Sequence, residues 1–340
     1  MEKIKNIEIS NFKSIKHLKI DGCNKINVFI GQPNAGKSNI LEALGLYGMF
    51  DLERETISLA NFVRQNKLEE LFFEENVSEN SLIKLNEDTL TISSRDNNLF
   101  LHYKNSTDAI KSIIFDYNNH GIDPNSKVEI KKNFINNTRI KKYIFKEYKN
   151  NNYINYDVSI LDFPYGKNLV QIISSNPELR REVNKLFKNN NLKLLIEKHT
   201  NELKIFKEFQ DGTVFTLPYE LIADTLQRLI FYKAAIMSNK NSVLLFEEPE
   251  AHCFEPYILE FTNGVKYDEN NNQFFIVTHS DFIIKEFLRD EESKENTNVY
   301  LVNNVEGETQ VKLLEKDKNE DVYEYGMNVF FNFESLWETN

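Results

Sequence analysis

The sequence predicts an α/β fold with a mixed sheet flanked by helices, and three stretches of the chain carry this prediction. Each stretch is a short, largely apolar run, at residues 26–30, 242–248 and 273–280, and the last two end in polar residues. Nearly continuous apolar runs of this length are typical of parallel strands that are buried on both faces. The carboxyl ends of such strands border the crevice in which α/β proteins bind their ligands.

A phosphate-binding loop follows the first of these strands. Residues 31–38 read Gly-Gln-Pro-Asn-Ala-Gly-Lys-Ser, and a helix-like run begins directly after them. In this pattern, backbone N–H groups and the N-terminus of the helix surround a phosphate chain. Lys37 is expected to reach the β- and γ-phosphates of a nucleoside triphosphate, and Ser38 to coordinate Mg²⁺. The residues predicted to bind the nucleotide are Gly31, Asn34, Ala35, Gly36, Lys37, Ser38 and Asn39.

Charged and polar side chains end the other two strands. Glu247 is predicted to hold Mg²⁺ directly or through water, and Glu248 to polarise the water that attacks the γ-phosphorus. Neighbouring side chains on a strand point in opposite directions, so the two acids are expected to have different roles. The third strand is followed by His279, whose imidazole is predicted to hydrogen-bond the γ-phosphate and to sense hydrolysis.

Composition limits the classes of partner. The chain has 340 residues and a net charge of −11, which argues against coating of nucleic acid by the whole surface. It has no apolar run of about 18 residues that would cross a bilayer. Cys23 and Cys253 fit neither a disulfide framework nor a zinc pattern. We therefore expect a cytoplasmic protein that does not contact membranes.

One segment is basic against this acidic background. Between Lys131 and Lys149 there are seven lysines and arginines and one acid, Glu147, with aromatic residues interleaved. Such a segment can contact phosphates and stack on bases, so one interpretation is DNA binding. The other interpretation is an ordinary solvated face.

The order of these motifs resembles the ATP-binding-cassette (ABC) heads of the RecF, SMC and OLD proteins. In those heads the phosphate loop is followed, after a long gap, by a strand that ends in acidic residues and then by a strand that ends in histidine. In this chain the two strand ends lie in residues 244–252 and 274–280. Residues 7–15 are similar to the opening strand of the heads. The resemblance implies an ATPase that uses ATP and Mg²⁺, with Glu247 as the acid on the metal side, Glu248 as the catalytic glutamate and His279 as the switch histidine.

The resemblance also assigns less specific positions. Lys13 is implied to touch the nucleotide, and Gln65 is the candidate for the glutamine of the Q-loop. Such heads bind ATP between two copies, each of which presents a signature motif to the γ-phosphate of the other. Residues 221–228 resemble a degenerate, OLD-like form of that motif, in which Asp224 and Thr225 are implied to face the nucleotide and residues 250–252 to lie at the dimer seam. Asp224 is also expected to cap the following helix, although its carboxylate would repel a γ-phosphate.

The resemblance divides the chain into an N-terminal ATPase part (1–125) with a small antiparallel sheet, a helical, basic insertion (126–200) and a C-terminal ATPase part (201–340). The insertion lacks the sustained heptads of a long coiled coil. The leading hypothesis is an ATPase that forms a homodimer or higher homo-oligomer and controls a separate effector, such as a nuclease, in bacterial anti-phage defence. The alternatives are a RecF-like DNA-repair or replication ATPase and a slow nucleotide-gated scaffold.

Overall fold

A computed structural model of the chain describes residues 3–51, 58–96, 98–107, 109–118, 121–122, 127–131, 139–147, 159–188, 191–197, 200 and 202–339. The chain divides into two compact units, both of them discontinuous in sequence. The first unit comprises Met1–Lys142, Val243–Glu247 and Gln273–Asn340, and the second comprises Tyr143–Ser242 and Glu248–Asn272. The first boundary of the predicted three-part division, at residue 125, therefore falls inside the first unit.

The described residues form seventeen strands and nine α-helices. The strands are β1 (Asn6–Phe12), β2 (Ile15–Asp21), β3 (Ile26–Gly31), β4 (Ser81–Leu85), β5 (Asp88–Arg95), β6 (Asn98–Lys104), β7 (Ile110–Asn118), β8 (Gly121–Ile122), β9 (Lys127–Lys131), β10 (Ile140–Tyr143), β11 (Lys193–Glu197), β12 (Glu202–Glu208), β13 (Val214–Pro218), β14 (Val243–Glu247), β15 (Gln273–Val277), β16 (Thr297–Val305) and β17 (Glu308–Leu313). The helices are α1 (Lys37–Leu46), α2 (Leu169–Ser175), α3 (Pro177–Lys185), α4 (Asp224–Ser238), α5 (Glu255–Lys266), α6 (Asp281–Phe287), α7 (Glu291–Glu295), α8 (Lys316–Glu324) and α9 (Phe333–Thr339).

A mixed sheet forms the centre of the first unit. Its strand order is β10-β14-β15-β3-β16-β17. The strands from β14 to β16 are parallel, and β17 pairs with β16 in the antiparallel sense. Every residue of β3 and β15 is buried, as expected for strands that are covered on both faces. The three strands predicted from their apolar runs are therefore confirmed as β3, β14 and β15, side by side in one sheet.

An antiparallel sheet forms the second layer of the first unit. It runs in the order β2-β1-β4-β5-β6-β7-β8, with β9 also paired to β7. It is larger than the small sheet predicted between residues 51 and 125, because β1 and β2 join it as well. Helix α1 contacts β1 of this sheet and β3, β14 and β15 of the mixed sheet. Its buried residues Ile40, Leu41 and Leu44 thus fill the space between the layers.

The second unit is mainly helical and carries a three-stranded antiparallel sheet, β11-β12-β13. Asp211 and Gly212 lie in the connection between β12 and β13, and Gly212 adopts the positive φ of 80° that such turns favour. Helix α4 packs against α5, α2 and α3. In the part of the chain that the structure describes, no helix is long and apolar enough to cross a membrane.

The segment predicted to be helical, residues 126–200, contains strands as well as helices α2 and α3. Lys127–Lys131 forms β9, where Val128 and Ile130 alternate with polar residues in the two-residue period of a strand. Ile140–Tyr143 forms β10 at the edge of the mixed sheet. The abundance of lysine favoured the helical interpretation, because lysine is a good helix former, but the apolar spacing decides the local structure.

Gly36, at the end of the phosphate loop, is fixed by backbone conformation and by packing. It is the residue before α1 and has φ 94°, which side chains rarely tolerate. A Cβ atom at this position would overlap with Oγ1 of Thr309 and lie 2.8 Å from Oγ of Ser14. Those two hydroxyls are hydrogen-bonded to each other at 2.7 Å, so neither moves aside without breaking that bond.

We expect Gly36→Ala to lower the free energy of unfolding by about 2–4 kcal/mol, since it combines left-handed strain with an overlap in a packed region. The matched control is Gly22→Ala, because Gly22 also has a positive φ, 73°, but has no atom within 4 Å of the added Cβ. The control is expected to cost only about 1–2 kcal/mol. Equal losses in urea denaturation of the two variants would contradict the packing argument.

Candidate functional site

The phosphate-binding loop lies between β3 and α1, as the sequence predicts. The ammonium group of Lys37 donates hydrogen bonds to the carbonyl oxygens of Gly31 and Gln32, at 3.0 and 2.7 Å, so the side chain folds back over the loop. Ala35 is buried, whereas Asn34 is exposed with φ 62°. The loop thus presents a buried lysine at the N-terminus of a helix, which is the arrangement that binds phosphate.

Glu247 lies at the end of β14 and meets three other side chains of the first unit. Nη2 of Arg64 is 2.8 Å from Oε1 of Glu247, and Nζ of Lys142 is 3.2 Å from Oε2. Besides burial and the charge of Lys142, the nearby hydroxyl of Ser38 affects the pKa of this carboxyl group. The structure therefore brings together the two residues that the sequence predicts as metal ligands, Ser38 and Glu247.

The surroundings keep Glu247 ionised. Burial by itself would raise the pKa of this carboxyl group, but the charge of Lys142, the nearby hydroxyl of Ser38 and the charge of Arg64 together outweigh it. The net result is a pKa below the ordinary value for glutamate. An ionised carboxylate beside a serine hydroxyl is the hard oxygen pair that suits Mg²⁺.

A second buried carboxylate, Glu42 of α1, holds Lys13. Nζ of Lys13 lies 2.6 Å from Oε2 of Glu42 and donates to the backbone oxygen of Arg64 at 2.9 Å. Nε of Arg64 reaches the other oxygen of Glu42 at 2.9 Å. In this structure the ammonium of Lys13 is thus engaged by α1, and its contact with a nucleotide stays a prediction. Asn39, also predicted to bind the nucleotide, donates to Oγ of Ser14 at 2.6 Å.

His279 lies between the end of β15 and the start of α6, and it is exposed. Its ring stacks on Phe330 with a centroid separation of 6.3 Å and an interplanar angle of 28°. The neighbouring Val329 donates its N–H to Oδ1 of Asp281, the first residue of α6, at 3.1 Å. A segment close to the C-terminus is therefore attached to the turn that presents the predicted switch histidine.

The second unit carries the remaining predicted site residues. Glu248 is exposed and has φ 46°. The expectation that Asp224 caps α4 is wrong: the capping position is Ala223, and the carboxylate of Asp224 pairs with Nε of Arg228 at 2.6 Å. This difference arises because Asp224 is the first residue of the helix, from which its side chain reaches one turn along the surface to Arg228. The hydroxyl of Thr225 donates to the backbone oxygen of His252 at 2.9 Å.

The sequence did not point to Arg64 or Lys142 as site residues. Lys141 and Lys142 are buried, so these two lysines fit neither interpretation of the basic segment, contact with DNA or a solvated face. Lys146 is exposed, and its ammonium lies 3.7 Å from the ring centroid of Tyr165. Lys132 and Lys149 lie outside the described residues. The signal for Lys142 was its place in an edge strand beside the acidic strand end, which is visible only once β10 is paired with the sheet.

The residues at this site fit a magnesium ion. Ser38 and Glu247 supply hard oxygen atoms, and a further one lies next to Arg64 in the sequence. The amide oxygen of Gln65 is buried and, within the described ranges, has no hydrogen-bond donor. A buried amide oxygen without a donor is costly, and such oxygens are common ligands of hard cations. The orphaned oxygen is consistent with the sequence prediction of Gln65 as the Q-loop residue.

The sequence pattern of one protein family, described as "AAA domain, putative AbiEii toxin, Type IV TA system", matches residues 26–285. The match extends from the first residue of β3 into α6 and so includes the phosphate loop, Glu247 and His279.

Curated relatives match the chain over short stretches. An ATP/GTP phosphatase of Helicobacter pylori is 58% identical over 41 residues, which are 12% of this chain and 11% of that protein. The DNA replication and repair protein RecF of Lactococcus lactis subsp. cremoris is 48% identical over 42 residues, which are 12% of each chain. The chain therefore spans only about a tenth of the length of these two relatives.

A solved structure shares the fold. The SmcHead bound to the C-winged helix domain of ScpA superposes with a TM-score of 0.50 at 14% sequence identity, over 93% of this chain and 98% of the other. The likeness confirms the predicted α/β fold of the ABC-ATPase type.

We expect Lys37→Ala to weaken the binding of ATP at least about tenfold, because it removes a charge-assisted hydrogen bond to phosphate and the two bonds that brace the loop. Binding is measured with a fluorescent ATP analogue. The control is Lys16→Ala, since Lys16 is an exposed lysine whose partner, Glu308, is not a predicted site residue. Unchanged affinity in Lys37→Ala would contradict the assignment of the loop.

Proposed function

Because the chain belongs to the AAA domain family of the AbiEii type, we propose that it binds ATP with Mg²⁺, hydrolyses it, and uses this cycle to control a separate effector in bacterial anti-phage defence. The observation that carries the ATPase proposal is the phosphate loop between β3 and α1, over which the buried Lys37 folds, together with Glu247 at the end of β14. We further propose that the protein acts in the cytoplasm.

Five residues have proposed tasks in the binding and hydrolysis of ATP. Lys37 leaves the carbonyl oxygens of the loop and binds the β- and γ-phosphates, as its buried position above the helix N-terminus favours. Ser38, Glu247 and Gln65 hold the metal. Mg²⁺, when bound, neutralises the charge that develops on the phosphate oxygens. Glu248 orients the attacking water and accepts its proton.

Self-association of the chain is part of the proposal, and so is its binding to a separate protein. The Smc head of similar fold is bound to a domain of ScpA, which supports the idea that a head of this shape also presents a surface to a different protein. The word toxin in the family description, which refers to the family itself, supports a role for the chain in a system with a harmful component. The proposed effector is a nuclease, controlled by the nucleotide state of the ATPase.

We expect Glu248→Gln to retain ATP binding and to lose turnover by about 10²-fold or more, the range for removal of a positioned base. Turnover is measured as phosphate release, and binding with the fluorescent analogue used for Lys37→Ala. The matched control is Glu255→Gln, an exposed glutamate at the start of α5. If Glu248→Gln hydrolyses ATP at a near-normal rate, the catalytic base is another residue.

The effector is sought in the native host. Glu248→Gln, held in the ATP state, is purified beside Lys37→Ala after nuclease treatment, and the proteins that co-purify are identified by mass spectrometry. We expect a nuclease or toxin-like protein to be enriched with one of the two variants, because only one nucleotide state binds it. Recovery of DNA together with repair or replication factors alone would replace effector control with a RecF-like role.

A further inference from the structure

Lys142 is a buried cation whose position is prepared by its neighbours. Its side chain is 3% exposed, and Nζ lies 3.2 Å from Oε2 of Glu247. The aliphatic part of the side chain passes over Gly45 in the middle of α1: a Cβ atom at Gly45 would lie 3.4 Å from Cδ and 3.6 Å from Cβ of Lys142. These are ordinary van der Waals distances, so Lys142 packs closely along α1.

The other cation on this carboxylate is placed quite differently. Arg64 contacts Oε1 of Glu247, but its side chain is 68% exposed and is shared with Glu42. Both carboxylates are largely or wholly buried, but the guanidinium of Arg64 is open to solvent, so it can leave Glu247 without becoming a buried, unpaired charge. Lys142 cannot move into solvent in this way, because removing a buried ammonium from its carboxylate partner leaves an uncompensated buried charge.

A divalent cation that binds Glu247 therefore competes with two cations of unequal mobility. We expect a metal to displace Arg64 but not Lys142. The ammonium of Lys142 would then stay next to the carboxylate, where its charge would repel the incoming ion. The phosphates of a nucleotide supply the negative charge that offsets this repulsion.

We propose that Lys142 is a positioning residue of the metal site: its fixed charge holds Glu247 in place and prevents this carboxylate from binding a divalent cation before the nucleotide arrives. The inference rests on the proposed function, because it takes Glu247 as a metal ligand. Its consequence is that metal and nucleotide enter together, so that free Mg²⁺ does not by itself change the state of the protein.

The test is a titration of the nucleotide-free protein with Mn²⁺, followed by electron paramagnetic resonance. We expect Lys142→Met, which keeps the length of the side chain and removes its charge, to bind Mn²⁺ at least about tenfold more tightly than the unaltered protein. Adding Glu247→Gln to Lys142→Met should abolish the gain, and Lys142→Arg, which retains the charge, should show none. Circular dichroism and thermal melts establish that each variant is folded.

Two results would overturn the inference. One is a folded Lys142→Met protein whose Mn²⁺ affinity is unchanged or weaker, as expected if Lys142 only supports the structure. The other comes from Arg64→Gln, which is informative even if Lys142→Met does not fold. Since the guanidinium of Arg64 is exposed to solvent, its loss should tighten Mn²⁺ binding by no more than about fivefold, and a gain of tenfold or more would make Arg64 the controlling cation.

Failure of the proposed function is recognised separately. A lack of binding of a non-hydrolysable ATP analogue to the unaltered protein would remove the ATPase proposal. The Mn²⁺ titrations contain no nucleotide, so their outcome for Lys142 does not depend on that result.

Discussion

The carboxylate of Glu247 is the point on which the arrangement of the first unit depends. It is largely buried, and burial alone would favour its neutral form. Its ionisation therefore requires partners, which come from three places in the sequence: Ser38 at the end of the phosphate loop, Arg64 between α1 and β4, and Lys142 in β10. Because the partners lie in different parts of the chain, this single carboxylate connects the phosphate loop, the segment between α1 and β4, and the edge of the mixed sheet.

The charges around this point form a continuous alternating series. In order of contact, the series is Lys13, Glu42, Arg64, Glu247 and Lys142. Arg64 is the central member and the most exposed, whereas both carboxylates that it joins are largely or wholly buried. A movement of Arg64 thus changes the environment of both acids at once. Charged groups that share partners in this way respond as a network rather than as independent pairs.

The parts of the fold that the sequence predicted are those encoded by local patterns. The strand before the phosphate loop and the strands ending at Glu247 and Val277 are almost entirely apolar, and a pattern of that kind is recognisable without knowledge of the neighbouring strands. Lys142 was not recognisable as a site residue, because its significance depends on β10 lying beside β14, a contact between segments far apart in the chain. The same holds for Arg64, whose two acidic partners, Glu42 and Glu247, are separated by most of the sequence.

Within the second unit, the predicted degenerate signature motif is less unfavourable to ATP hydrolysis than its residues suggest. The sequence placed a bare carboxylate, Asp224, where a γ-phosphate is expected, but that carboxylate is paired with Arg228 and part of its charge is compensated. Next to it, Thr225 is hydrogen-bonded to the backbone of His252, in the segment that the resemblance to ABC heads assigns to the dimer seam. A ligand or a second copy that displaces the start of α4 therefore either breaks this hydrogen bond or moves residues 250–252 as well. These residues directly follow Glu248 and Pro249. Repulsion of phosphate by Asp224 is thus a weak reason to exclude hydrolysis, and the link between Thr225 and His252 gives a physical route from the signature to the segment that carries the proposed base.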